Sequence, residues 1–362
     1  MRKPSAPGAT RFAIKPLATS GKRAWGFEQL SSRENPLVVF TLLSQFAVGA
    51  FLLLFLLPQL PVPAALAFSL HPTLASATGW VLVTLQALAL SLSASHLGKP
   101  HRFYRGFNNL RHSWLSREAL ALSLFFGALA AYMFVTTFPA LTAWLPPTFS
   151  AVLPDLAGLS AAILGSLAIY CMARIYRIKA RPFWDHWHTS AAFFASLLIL
   201  GSLGMGLAFG IADGLAGRAP DELLQWLSLP LLTGLMLQAF ALARHLRYLA
   251  RRGAEADVSR AQMLTTYGRT YLARWTSLAV LMLGAAVISL SMLPGMVALI
   301  LWIALSVLAI PHEIIGRALF YVLVTPTTMP GAFFWNNKYF EAHARKTGLA
   351  RMPQVGVVPE TH

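Results

Sequence analysis

The chain has 362 residues, of which 56% are hydrophobic and only 12% charged, with a mean hydropathy of +0.59. A soluble domain carries roughly 25% charged residues, so a water-soluble globular protein is excluded and a membrane protein is indicated. The net charge of +16 would suggest nucleic acid in a soluble chain, but no RNA- or DNA-binding motif is present; with long apolar runs the charge is a topology signal. The single cysteine, Cys171, excludes an intrachain disulfide, a Cys-rich zinc site and an iron–sulfur cluster held by this chain alone, which takes about four ligands.

Residues 1–35 are polar and basic, with no apolar stretch, so a cleaved signal peptide is not expected; the segment reads as a cytoplasmic tail. A helix needs about 20 apolar residues to cross the hydrocarbon. The runs that qualify are 37–57, 75–97, 118–139, 150–172, 188–210, 222–243, 272–292 and 295–324. The expectation is an all-α, polytopic bundle of eight transmembrane helices over 36–324, with a cytoplasmic tail at 325–362. Every Lys and Arg except Arg218 falls on alternate connections or on the tails. By the positive-inside bias that places both termini in the cytoplasm. Trp80, Trp144 and Trp226 fall near the opposite ends, Trp114, Trp184, Trp187, Trp275 and Trp335 near the basic ends, as interfacial aromatic belts do.

Ser95-His96-Leu97-Gly98-Lys99-Pro100 ends the second span, since a glycine just past a helix with a proline soon after is a stop signal. His96 is then expected in the last turn. Ser116 can cap the third span, which would put Glu118 in its first turn, at the same membrane face as His96. An imidazole and a carboxylate so placed suit a reaction that releases protons at the membrane edge, as quinol oxidation does. Helix dipoles alone also favour a histidine at a C-terminus and a glutamate at an N-terminus, by about 0.3–1 kcal/mol each.

Gln86, Ser91, Ser93 and Ser95 make the inner half of the second span polar, and the first span carries Gln45 and Gly49. Such residues serve helix packing or line a polar pocket. Glu313 and Arg317, at i, i+4 beside His312, are expected to pair within the last span. A bound haem needs axial ligands at facing depths; only His312 lies well inside a span, so no haem is expected. No metal-ligand spacing or phosphate-binding glycine loop occurs. The basic face can set topology, contact anionic lipid or dock a soluble partner, with Arg102 and Arg117 in the last role or simply in the first. A secondary transporter is a further possibility, although such proteins place interrupted helices near the midplane, whereas the polar residues here crowd toward one face.

The stretch HLGKPHRFYRGFNNLRHSWLSREAL (96–120), with TLLSQFAVGAF (41–51) and HEIIGRALFYVL (312–323), resembles the membrane-anchor subunits of dimethyl sulfoxide reductase-type complexes over roughly 36–324. The resemblance implies a bacterial inner-membrane subunit of an anaerobic respiratory complex. Its partners would be an iron–sulfur (ferredoxin-like) subunit and a molybdopterin catalytic subunit. It would bind menaquinol or ubiquinol and hold no haem or cluster of its own. It assigns His96 and Glu118 to the quinol site; Gln45 and Gln86 are added as candidates for the pocket wall. In the best-known relatives the histidine end of the second span faces the periplasm. Here the basic loops place it inside, as in the anchors of cytoplasmic quinone-dependent sulfite dehydrogenases, so sulfite oxidation feeding quinone stands beside quinol feeding sulfoxide reduction.

Overall fold

The computed structural model describes residues 25–26, 30, 35–62, 68–95, 100–251, 254–291 and 293–324. Among them there is no strand. Eight helices are long and apolar enough to cross a membrane: α1 (Asn35–Leu56), α2 (Pro72–Ser95), α3 (Trp114–Thr137), α4 (Pro147–Tyr176), α5 (Trp187–Leu215), α6 (Asp221–Leu249), α7 (Gly268–Leu290) and α8 (Gly295–Val322). A short helix, Ala254–Leu264, lies between α6 and α7. Phe240, Leu283, Ile300 and Val307 are exposed around the bundle, a surface that only lipid solvates cheaply.

Several helices outrun their apolar segments. α4 continues to Tyr176, α5 to Leu215 and α6 to Leu249. The apolar run marks where hydrocarbon begins, whereas backbone hydrogen bonding carries the helix on into the headgroup layer. The start of α3 moves for the same reason. Its cap is Ser113, in extended conformation, whose Oγ accepts the Ser116 N–H at 3.3 Å. The expected cap at Ser116 is therefore wrong, and Glu118 lies in the second turn of α3 instead of the first.

α1 packs against α5 and α2, α3 along α4, α5 along α6, and α8 in the groove of α5 and α7. The α1–α5 crossing is so close that a Cβ on Gly49 would overlap the Leu197 carbonyl, and one on Gly201 would lie 2.5 Å from the Gly49 carbonyl carbon. Small residues let helix backbones approach where lipid gives no hydrophobic drive to association. Trp302 is fully buried, its indole N–H donating to the Leu203 carbonyl at 3.1 Å.

Contacts between connections define two ends. At one, Tyr176 and Tyr321 hydroxyls bond at 2.8 Å, the Trp184 N–H donates to the Phe320 carbonyl at 2.7 Å, and the Thr270 hydroxyl reaches the Trp25 carbonyl. The loop before α3 is held there by Arg117, which donates to the Leu110 and Arg111 carbonyls at 2.9 and 2.6 Å and lies over the Trp114 ring. The other end holds Arg218. Gly217 (φ +71°) closes α5 with a Schellman turn, Arg218 N–H to Asp213 O at 2.9 Å and Gly217 N–H to Gly214 O at 3.2 Å. The turn folds Arg218 back so that its Nε donates to Asp213 Oδ1 at 2.8 Å, and His71 Nε2 lies 2.9 Å from the same oxygen. This clasp ties the α1–α2 connection to the end of α5.

His186 precedes α5, and its Nδ1 accepts the His188 N–H at 3.1 Å as the helix cap. Burial, then Arg177 and Arg244, hold its imidazole down to about 4. An unfolded chain takes that proton near 6.5. Between these values the unfolded state binds more protons, so stability falls as pH drops from about 6.5 to about 4.

Two outcomes follow for thermal unfolding in detergent. Gly201→Ala drives a methyl into backbone and should cost about 1–3 kcal/mol, whereas Gly127→Ala, with nothing within 4 Å of the added carbon, should be neutral or slightly stabilising. Equal midpoints would show that the α1–α5 crossing is not the tight contact described. His186→Asn keeps a cap acceptor that does not titrate, and should flatten part of the loss in midpoint between pH 6.5 and 4. An unchanged pH profile would remove His186 from that dependence.

Candidate functional site

Of the four residues singled out from the sequence, His96 lies outside the described residues. Glu118 is buried (6% exposed) on α3, and among the described residues no hydrogen bond or ion pair reaches its carboxyl. It lies within electrostatic reach of Tyr176, Tyr321 and Cys171, which places it at the basic end against the ends of α4 and α8. A buried carboxyl without a partner is costly, which makes Glu118 a candidate site residue.

Gln45 is fully buried in α1, and its Oε1 accepts from Arg317 Nη2 at 2.8 Å; its Nε2 has no partner. Gln86 is fully buried in α2 with neither Oε1 nor Nε2 bonded. Gln45 and Glu118 thus approach the same cluster from two sides, because Arg317 and Tyr321 share one face of the last turns of α8. No contact links Gln86 to them.

Glu313 and Arg317 do not form the expected intrahelical ion pair. The Ser196 hydroxyl stands between them: it donates to Glu313 Oε2 at 2.6 Å and accepts from Arg317 Nη2 at 3.3 Å. Both side chains are drawn off α8 toward partners on other helices, where each satisfies more than one polar atom. Gln238 donates to Glu313 Oε1 at 3.3 Å and accepts at 2.8 Å from His312 Nε2, which leaves His312 Nδ1 to accept from Ser277 at 2.7 Å. Arg317 also lies 3.9 Å from the Phe193 ring centroid. The result is a polar seam from Gln45 through Arg317, Ser196, Glu313, Gln238 and His312 to Ser277, joining α1, α5, α6, α7 and α8. Removing one partner from such a buried charged network costs about 3–5 kcal/mol.

Beside the seam is a second group that the sequence alone does not single out. His188 and His245, both buried, stack with centroids 4.4 Å apart and rings 3° from parallel. Tyr271 and Arg274 lie near them along a cavity that Glu313 and Arg317 also line. By the apolar runs, His188 and His245 are helix-end residues and Arg274 a loop charge. The missed signal is helix length: once α6 runs to Leu249 and α7 starts at Gly268, these groups fall inside the bundle. The larger cavity, 280 Å3, is near the opposite end, between α1, α2 and α3, lined by Leu54, Pro72, Tyr132 and Met133. It contains none of the four candidates.

The arrangement gathers proton-exchanging and hydrogen-bonding groups at one end of a bundle whose helices are long and apolar enough to cross a membrane. The protein is similar to a chain of the anaerobic dimethyl sulfoxide reductase of Haemophilus influenzae, with 27% identity over 180 residues, which is 50% of this sequence and 60% of that one; less than two thirds of the relative's length is spanned. An Escherichia coli anaerobic dimethyl sulfoxide reductase component, YnfH, is 27% identical over 228 residues, 58% of this sequence and 70% of its own. A sulfite dehydrogenase component of Allochromatium vinosum is 36% identical over 129 residues, 33% and 38% of the two sequences. The family model described as DMSO reductase anchor subunit (DmsC) matches residues 30–323, and the protein belongs to that family of multi-pass membrane anchors.

Proposed function

We propose that this protein is the quinol-reactive anchor of a molybdopterin oxidoreductase complex in a bacterial inner membrane, exchanging electrons between menaquinol or ubiquinol and an iron–sulfur subunit docked on its basic end. The observation that carries this reading is Glu118: a buried carboxyl with no partner among the described residues, one polar loop after the HLGKP segment. Quinol oxidation yields quinone, two protons and two electrons. Glu118 and His96 are the acceptors for the protons. The Tyr176–Tyr321 pair is a donor able to orient a quinone oxygen. The electrons leave through the partner, since the lone cysteine here cannot hold a cluster. The basic residues at this end favour a cytoplasmic orientation, and they complement an acidic partner surface.

Two substrates remain in play because relatives carry both names. Sulfite-dependent reduction of quinone in membranes, without sulfoxide-dependent oxidation of quinol, would assign the complex to sulfite oxidation; the reverse would assign it to reduction. A basic end turned to the cytoplasm, as the positive-inside bias favours, supports the sulfite direction, as does the higher identity to the sulfite dehydrogenase component over its shorter match.

In the purified complex, Glu118→Gln and His96→Arg should each lower quinol turnover by about 100-fold or more. Reduction of the terminal substrate by an artificial dye that bypasses the anchor should persist, because the subunits still assemble. Wild-type quinol turnover in both variants would exclude this site.

A further inference from the structure

The second half of the bundle encloses a cavity of about 20 Å3 at the basic end, walled by α5, α6, α7 and α8. That is room for one water-sized body and far too little for a quinone ring. Its ionisable lining comprises His188, His245, Tyr271, Arg274, Glu313 and Arg317. Glu313 and Arg317 are committed to Ser196, Gln238 and Gln45. His245 Nε2 is 2.9 Å from the Phe183 carbonyl.

The remaining three are buried and, among the described residues, leave polar atoms unsatisfied. Arg274 is 6% exposed, its Nε has no partner, and among the described residues no hydrogen bond or ion pair reaches its guanidinium. Neither ring nitrogen of His188 is bonded. The Tyr271 hydroxyl has no acceptor, for Trp275 beside it offers only an N–H. All three line the same small space and carry hydrogen-bond donors. Among the described residues, with neutral imidazoles, the lining sets two guanidiniums against one carboxylate, one positive charge in excess. A water molecule satisfies donors but cannot cancel that charge, and an uncompensated buried ion is among the costliest features a protein interior holds.

We propose that this chamber binds one small monovalent inorganic anion of the halide class. Arg274 is its main partner, and the Tyr271 O–H and a His188 N–H are further donors. The bound anion neutralises Arg274 and leaves Arg317 to Gln45 and Ser196, so the seam is held in register from the far side. The site is distinct from Glu118 and stands or falls independently of the quinol reading.

The test uses the full-length protein purified in detergent, with chloride replaced by gluconate at constant ionic strength. Chloride is then titrated back while the unfolding midpoint is followed, and equilibrium dialysis with radioactive chloride counts the ions bound. The expected result is a saturable rise in midpoint, reproduced by bromide, with about one chloride per protein molecule. Arg274→Gln should weaken binding by about tenfold or more and Tyr271→Phe by about fivefold, the loss of a charge-assisted and of a neutral hydrogen bond. If Arg274→Gln does not fold, the wild-type titration and Tyr271→Phe decide. No saturable chloride binding in the wild type means water only and overturns the proposal, as does unchanged affinity in Tyr271→Phe.

Discussion

A guanidinium buried between helices organises this protein. Arg317 in α8 donates to Gln45 of α1 and Ser196 of α5 and lies over the Phe193 ring. Charge inside a membrane bundle is costly unless it faces the interior and finds partners there, so the positions of three helices are tied to the needs of one side chain. Ser196 passes the constraint to Glu313, and Gln238 and His312 pass it on to α6 and α7. Glycines at the α1–α5 crossing bring Gln45 within reach of this network. At the far end a Schellman turn and the His71–Asp213–Arg218 clasp close the bundle with polar contacts of their own.

The distribution of polarity has a functional consequence. Polar groups are concentrated at the basic end, where a carboxyl on α3 without a partner among the described residues lies within electrostatic reach of the tyrosine pair that joins α4 to α8. The opposite end offers the larger cavity, but its wall is mostly apolar and contains no carboxyl or guanidinium. Chemistry that exchanges protons needs titratable groups more than it needs volume, and this contrast favours the basic end as the proposed quinol site. The chamber around Arg274 lies at the same end yet is too small for that molecule, which separates its role from the one assigned to Glu118.

Much of the architecture is legible in the sequence because membrane crossing imposes a length and a polarity that composition displays directly. The eight spans and the concentration of Lys and Arg on alternate connections come from this constraint alone. Glu118 and Gln45 are also legible, as polar residues within or beside apolar runs. What escapes are features set by helix ends and by partners distant in sequence. Ser113 instead of Ser116 caps α3, because helical hydrogen bonding begins before the hydrocarbon does. Glu313 and Arg317 carry the spacing of an intrahelical pair, and only the approach of α5 reveals that Ser196 separates them. His188, His245 and Arg274 look like interfacial residues until the added turns of α6 and α7 draw them inside.

The central claim, that quinol is bound at the basic end against α3, is tested most directly by photolabelling. A photoreactive quinone analogue is irradiated with the assembled complex, and the modified peptides are identified by mass spectrometry. The account predicts label on the segment joining α2 to α3 and on the first turns of α3 around Glu118, suppressed by excess quinol. Label concentrated instead around Pro72 and Tyr132, in the large cavity of the opposite end, would contradict it.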